Sequence, residues 1–520
     1  MVVGAPATSR PARRRRRSAG RRAVPLAAAV LAAGLLVLGV GAGTTGPAER
    51  MVFLLSGRGF GHGVGMPQYG AYGAALAGWD APRILRHYYR GAAIEETRPA
   101  PVRVLLASGL GSAEVSGAGG LQAVEEGGGR RIPLSPGTVY RLRADGGRVL
   151  LEAPDGTPVA GSRGSLRVEP RGPGALLSLG GRRYRGSLRA LAGADGLDVV
   201  NAVGLEEYLL GVVPREMPPA WGDRAPAALD AQAIAARSYA LATRVSGRPF
   251  DLYADERSQV YGGVADEDPR TTAAVRRTRG RVLAYRGEVV TAFFFSSSGG
   301  RTEDGANVFP AGGARPYLAS VPDPFDRVSP YHRWPSPFAF TGSELARRLR
   351  LPLGVSRIDV LRRGRSPRVL AARVATPFLG RVVSGAELRA ALGLPDTWLA
   401  VTAWRLTPGG EAIPPPEDAA PGEIALVVLN GTAAEGRAAR AAERAEGLGY
   451  RAVGAANAPA PAEESAVYHR PGAEGAARRV GADLGVAQVL PLPGEGSLAD
   501  AVPAYAHVAV VLGATGGGPS

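Results

Sequence analysis

The chain has 520 residues, too many for one hydrophobic core, so two to four domains are expected. It contains no cysteine, which excludes disulfides, a thiolate nucleophile and thiolate zinc ligands. The net charge of +16, carried by Arg without Lys, suits an anionic surface such as phospholipid or an anionic wall polymer. Zinc-finger spacing and aromatic–basic RNA motifs are missing, which argues against a nucleic-acid partner. The 45% apolar fraction is ordinary for a globular protein, while 74 Gly and 43 Pro favour turns and short strands.

Eight Arg lie between Arg10 and Arg22 with no acid among them, leaving +8 for the remainder. Ala23 to Val40 is then uncharged and mostly Ala, Val and Leu. Its length falls between a signal-peptide core and a bilayer span. Positive-inside logic puts the Arg cluster in the cytoplasm and everything after Gly41 outside. The expectation is an extracytoplasmic protein of the cell envelope, held in the plasma membrane through residues 23–41 or secreted. Small residues at 41–48 leave cleavage open, Arg21-Arg22 leaves a twin-arginine route open, and a buried helix behind a basic tail is the rival.

In Ser56–Gly91, Gly57, Gly59, Gly61, Gly63 and Gly65 alternate. As an extended chain this would leave one face bare backbone and show Arg58, Phe60, His62, Val64 and Met66 on the other. Bare backbone admits another chain or a flat ligand at close range. The spacing is wrong for a dinucleotide fingerprint. Asp80 and Pro82 then mark a helix start, with Ile84, Leu85 and Tyr88 on one side. From Val102 to Arg185, short alternating runs separated by Gly-rich turns predict an all-β region.

Val199–Thr243 reads as a strand-like apolar run, a Pro-rich turn and an Ala-rich helix from Pro226 to about Arg244. Leu205, Tyr208, Leu209 and Val212 are apolar anchors before the turn, which holds Arg215, Glu216 and Met217 between Pro214 and Pro218. A glutamate in apolar surroundings where one element ends is placed for proton chemistry; an ion pair with Arg215 is the bland alternative. Next come SQVYGG (258–263), a helix over Pro269–Arg277, and a strand pair turning at Arg286-Gly287 that ends in Ser296, Ser297 and Ser298. No G-x-S-x-G elbow is present, so a serine hydrolase is a poor reading. Residues 358–399 predict a strand and a short helix, and Thr407–Glu423 is a Pro/Gly/acid linker. From Ile424 to Gly513, strands alternate with helices over Ala434–Gly447 and Ala473–Leu484, which predicts a small α/β domain.

Together EYLLGVVPREMP, AQAIAARSYAL, SQVYGG, AFFFSSSGGRTED, GRSPRVL and GHGVGMPQYGAYG resemble the SpoIID/LytB family (stage II sporulation protein D and its relatives). VVLNGT, VYHRPG and the closing VVLG resemble the LytR C-terminal domain, an accessory of cell-envelope proteins. The resemblance implies an α+β fold: a mixed β-rich SpoIID-like catalytic region with helices, plus a small C-terminal α/β domain. The expected divisions are 1–50 (basic tail and signal), 51–100 (Gly-rich segment packing on the catalytic core), 101–185 (β-rich), 186–405 (catalytic), 406–423 (linker) and 424–514 (α/β).

It further implies a lytic transglycosylase acting on peptidoglycan glycan strands, with Glu216 as the catalytic acid. Tyr69, Arg237, Ser258, Gln259, Tyr261, Ser297 and Ser298, within the same motifs, are candidate glycan contacts, as is His62. Other readings are a hydrolase pairing Glu216 with Asp255 or Glu256, and a glycan-binding protein that recruits or stimulates a cell-wall amidase. Some family members bind zinc through cysteine near the S-S-x-G-G loop; Ser298 stands there, so no metal or cofactor is expected. The GHGVGM segment lies upstream of Glu216, where family members often carry it downstream, so the fold must bring it back.

Overall fold

The computed structural model describes residues 50–98, 100–172, 174–309, 314–407, 410–450 and 452–515. The basic run and the apolar run at 23–41 lie outside them. Among the described residues no helix is long and apolar enough to cross a membrane.

The β-rich region is two sheets sharing one core, antiparallel except where the edge strand Leu252–Tyr253 pairs in parallel with Pro101–Leu110. The seven-stranded sheet runs Leu252–Tyr253, Pro101–Leu110, Gly196–Gly204, Ser187–Gly193, Ser165–Pro170, Leu121–Glu125 and Arg131–Leu134. The six-stranded sheet runs Pro158–Arg163, Arg148–Glu152, Tyr140–Asp145, Ser112–Ser116, Leu177–Leu179 and Arg182–Tyr184. Alternation puts Val168, Leu188 and Ala190 of one and Leu142, Val149 and Leu151 of the other inside. Strands on both sides of residue 185 share the larger sheet.

That sheet feeds the helical region without a break. Gly196–Gly204 runs directly into the helix Leu205–Glu216. This corrects the expected strand and turn: Leu205, Tyr208, Leu209 and Val212 recur at helical spacing and are all buried. Pro214 sits inside the last turn, and Met217 follows in extended conformation. The helix Pro226–Ala242 packs against this helix and against Ala81–Tyr88 and Pro269–Arg277. Its residues 228–240 are buried on nearly every side, so it is a core helix.

The glycine ladder is corrected as well. Only Gly57 lies in the strand Arg50–Arg58, and Gly63 and Gly65 have φ of 87° and 78°, outside the extended region. A Cβ on Gly63 would stand 2.5 Å from Arg368 Nε, and one on Gly65 2.0 Å from the Phe293 carbonyl oxygen. The bare backbone therefore receives neighbouring parts of the same chain.

Arg50–Arg58 lies between Phe338–Thr341 and Trp398–Leu406. A separate core there joins Phe53, Leu55 and Trp334 to the helices Gly342–Leu349 and Gly385–Leu392 and to an antiparallel sheet of Arg357–Arg363, Val369–Ala375 and Gly380–Ser384. The tail is an α/β unit ordered Ala452–Asn457, Ala425–Asn430, Val508–Leu512, Ala466–His469, Gln488–Pro491. Its helices Arg437–Gly447 and Glu474–Leu484 pack on the sheet. The whole is α+β with a C-terminal α/β domain.

Candidate active site

Glu216 is the last residue of its helix and is buried, with 8% of its surface exposed. Burial pushes its carboxyl up from 4.5 to about 7, while a hydrogen bond with the Gln68 side chain and the charge of Arg215 pull the other way. The negative end of the helix macrodipole also disfavours a carboxylate there. Arg215 is itself 3.4 Å from Asp266, so its guanidinium is not reserved for Glu216. The phenols of Tyr208 and Tyr239 are raised by burial first and then by the Glu216 charge.

The upstream segment returns to this carboxyl. Met66–Pro67 pairs with Phe294–Phe295 in parallel, and the Tyr69 amide donates to the Ser296 carbonyl at 3.0 Å. That register starts the helix Gln68–Leu76 with Gln68 against Glu216. Tyr69 and Tyr72 then meet Trp221, with ring centroids 4.9 Å and 4.3 Å away, the second pair stacked at 21°. Trp221 lies on the short 3-10 turn Pro219–Asp223 just past Glu216. All three rings are partly exposed. The result is an aromatic shelf beside a buried carboxyl.

The serines point elsewhere. Ser297 Oγ donates to Asp326 at 2.9 and 3.0 Å, and Asp326 also accepts from the Ser298 and Gly299 amides and bonds His332 Nδ1. Ser298 Oγ donates to Asp323 at 2.7 Å, and Tyr88 donates to the same carboxylate at 2.8 Å. Both aspartates are fully buried. Burial, then the Asp326 charge, pushes Asp323 up to about 7. Among the described residues no group of three or more His, Asp or Glu side chains converges as a metal site requires.

Other candidates are also held internally. His62 packs against Phe293, Phe295 and Phe309, bonds the Phe294 carbonyl through Nε2 and accepts from the Val64 amide at Nδ1. Burial lowers it to about 3, so it is neutral. Arg237 is fully buried and grips Glu206 with two bonds, of 2.8 and 2.7 Å. Ser258 Oγ accepts from the Tyr253 amide, and Tyr261 donates to Asn201. Gln259 Oε1 receives Tyr208 at 3.4 Å while its buried Nε2 has no partner among the described residues. Asp255 is half-exposed and chelated by Arg257, and Glu256 is exposed. Only Tyr69 of the candidate contacts borders the aromatic shelf.

Sequence reasoning missed Gln68, Tyr72, Asp323, Asp326 and His332. Gln68 and Tyr72 lie inside the GMPQYGAYG motif, whose helical character was hidden by its glycines. Asp323 and Asp326 sit in a Pro-rich loop with no periodic signal.

Residues 193–285 match the family model for stage II sporulation protein, and residues 423–515 match that for LytR cell envelope-related transcriptional attenuator. The chain carries a SpoIID-type region and a LytR C-terminal-type region. Over 213 residues it is 33% identical to stage II sporulation protein D of Bacillus subtilis, covering 38% of this chain and 59% of that protein. Over 197 residues it is 34% identical to the amidase enhancer of Bacillus subtilis, covering 37% of this chain and 26% of that protein. An uncharacterized protein of Brachyspira hyodysenteriae is 39% identical over 147 residues, 28% of this chain and 39% of that protein. The chain thus spans less than two thirds of these relatives. No solved structure matches it significantly. Glu216, the shelf and the buried tyrosines all sit in or against the SpoIID-type region.

Proposed function

We propose that this chain is an exported cell-wall remodelling enzyme, a lytic transglycosylase that cuts peptidoglycan glycan strands with Glu216 as acid and base. The observation that carries the reading is a single carboxyl, buried and raised to about 7, beside a partly exposed aromatic shelf. Kinship with proteins named for sporulation and amidase enhancement agrees with wall chemistry.

A protonated Glu216 donates to the glycosidic oxygen as the bond from muramic-acid C1 to that oxygen breaks. The resulting carboxylate takes the proton of the muramic acid's C6 hydroxyl, whose oxygen closes on C1. Glu216 ends protonated, no water is consumed, and the product carries a 1,6-anhydro ring. Hydrolysis ordinarily needs a second carboxylate. Here the nucleophile belongs to the substrate and proximity does its work. The Tyr69–Trp221–Tyr72 shelf offers flat apolar faces to sugar rings.

Incubating the full chain with purified glycan strands should yield anhydro-muramyl ends by mass spectrometry, and Glu216→Gln should lower their yield about a hundredfold or more. Reducing ends instead would favour the hydrolase. The kinship to an amidase enhancer supports a second reading, glycan binding that stimulates an amidase. Wall binding with amidase stimulation and no cleavage by the chain itself would select it.

A further inference from the structure

The hairpin joining Val369–Ala375 to Gly380–Ser384 carries an unusual tip. Its turn is closed by three hydrogen bonds: the Thr376 amide and hydroxyl donate to the Leu379 carbonyl at 2.7 and 3.2 Å, and the Leu379 amide donates to Thr376 Oγ1 at 3.2 Å. Turn tips of this kind ordinarily carry Gly, Asn, Asp or Ser. Here Phe378 is 83% exposed and Leu379 60%, with Val382 at 58% just inside. They are the most exposed large apolar side chains of the described residues and share one hairpin.

Charge gathers at the same place. Residues 342–396 hold eleven Arg against four acids, so nearly all of the +8 outside the amino-terminal run lies in this one unit. Arg373 stands opposite Val382, and Arg357 opposite Ala375 beside the turn. Arg347, Arg350, Arg362 and Arg373 are exposed and form no ion pair among the described residues. Asp359 and Glu387 pair with Arg357 and Arg381, and Asp396 with the buried Arg368. The inner face of the sheet packs Ala372, Val374 and Val383 on the helices, while Arg373 and Val382 on the other face are exposed.

We propose that this hairpin docks on an anionic phospholipid surface, Phe378 and Leu379 entering the headgroup–acyl boundary while the surrounding Arg contact lipid phosphates. Charge complementarity selects an anionic partner, and the apolar tip selects a bilayer, because a soluble polyanion would leave both side chains in water. Docking would hold the chain at the membrane side of the wall whether or not Glu216 cleaves glycan.

The absence of cysteine allows one label. The full chain carrying Leu379→Cys, coupled to an environment-sensitive dye, is mixed with phosphatidylglycerol–phosphatidylcholine vesicles, with phosphatidylcholine vesicles, or with soluble polyglycerol phosphate. A blue shift confined to the anionic vesicles, quenched by acyl-chain brominated lipid and lost at high salt, is expected. Adding Phe378→Ser should weaken the response about tenfold or more, and Arg350→Gln with Arg373→Gln, the exposed Arg nearest the turn, should reduce its anionic preference. Melting curves establish that each variant is folded. Emission that is unchanged on vesicles, equal on neutral and anionic vesicles, or matched by the soluble polymer overturns the proposal. Phe378→Ser leaves the apolar run at 23–41 intact, so a response that this variant does not weaken belongs to that run and also overturns the proposal.

Discussion

Two buried carboxyl sites lie in the same part of the molecule, and burial pushes Glu216 and Asp323 alike up to about 7. Their surroundings differ. Asp323 and Asp326 are enclosed by hydroxyl, amide and imidazole partners, tying the Ser296–Gly300 loop to the helix Ala81–Tyr88 and to the loop at His332. Glu216 has one neutral side-chain partner, Gln68, and apolar or phenolic neighbours. A raised pKa therefore does not by itself mark a catalytic acid. A carboxyl consumed by internal donors fixes a loop; one left with few partners retains a proton that it can give away.

The sharpest break of this comparison is by function. Glu216→Gln should cut glycan cleavage by about 10²–10⁴-fold, the usual span for a lost general acid, without loss of folded protein in melting curves. Asp326→Ala should act oppositely, destabilising by about 3–5 kcal/mol because it strands buried donors, as denaturant titration would measure. Any loss of its activity should track loss of folded protein.

The pH dependence sharpens the contrast further. The Glu216 pKa is raised on folding, so the native state holds its proton longer than the unfolded chain. Its contribution to stability is full below pH 4.5 and is lost as pH rises towards about 7, a change of about 3 kcal/mol. Wild type and Glu216→Gln should have equal stability near pH 4, and the variant should be the more stable near pH 8. Equal curves at both values would remove the buried-acid account. The cleavage rate should likewise fall as pH passes about 7, where the acid is lost. Smaller still, Ser298→Ala should cost about 1–3 kcal/mol by removing a donor to Asp323. Trp221→Ala should chiefly raise KM for glycan strands while leaving kcat within about tenfold, since it removes a binding face and no proton.

Much of this was legible beforehand. Asp80 caps its helix through the Arg83 amide as its position before Pro82 suggests, and Arg286-Gly287 turns its hairpin with φ of 55° and 79°. The tail's strand–helix alternation became a mostly parallel sheet. The misreadings share one cause: local pattern was judged without knowing what the segment packs on. Leu205–Glu216 is apolar enough to pass for a strand, yet burial against the helix Pro226–Ala242 makes it helical. Alternating glycines suggested extension, yet Gly59, Gly61, Gly63 and Gly65 take positive φ, and Arg368 and Phe293 pack where side chains at Gly63 and Gly65 would stand.

By itself the sequence determined that Glu216 stands with Pro214, Met217 and Pro218 where an element ends, that a Pro-rich stretch separates two regions of different pattern, and which residues are available for helix caps and turns. These depend on neighbours within a few positions. Only the tertiary structure decided that Gln68 and Tyr69, far upstream, complete the Glu216 site, and that His62, Arg237, Ser297 and Ser298 spend their polar atoms inside the fold. Hydrogen-bond partners and desolvation are set by what packs in space, and a buried group's chemistry follows from those two quantities.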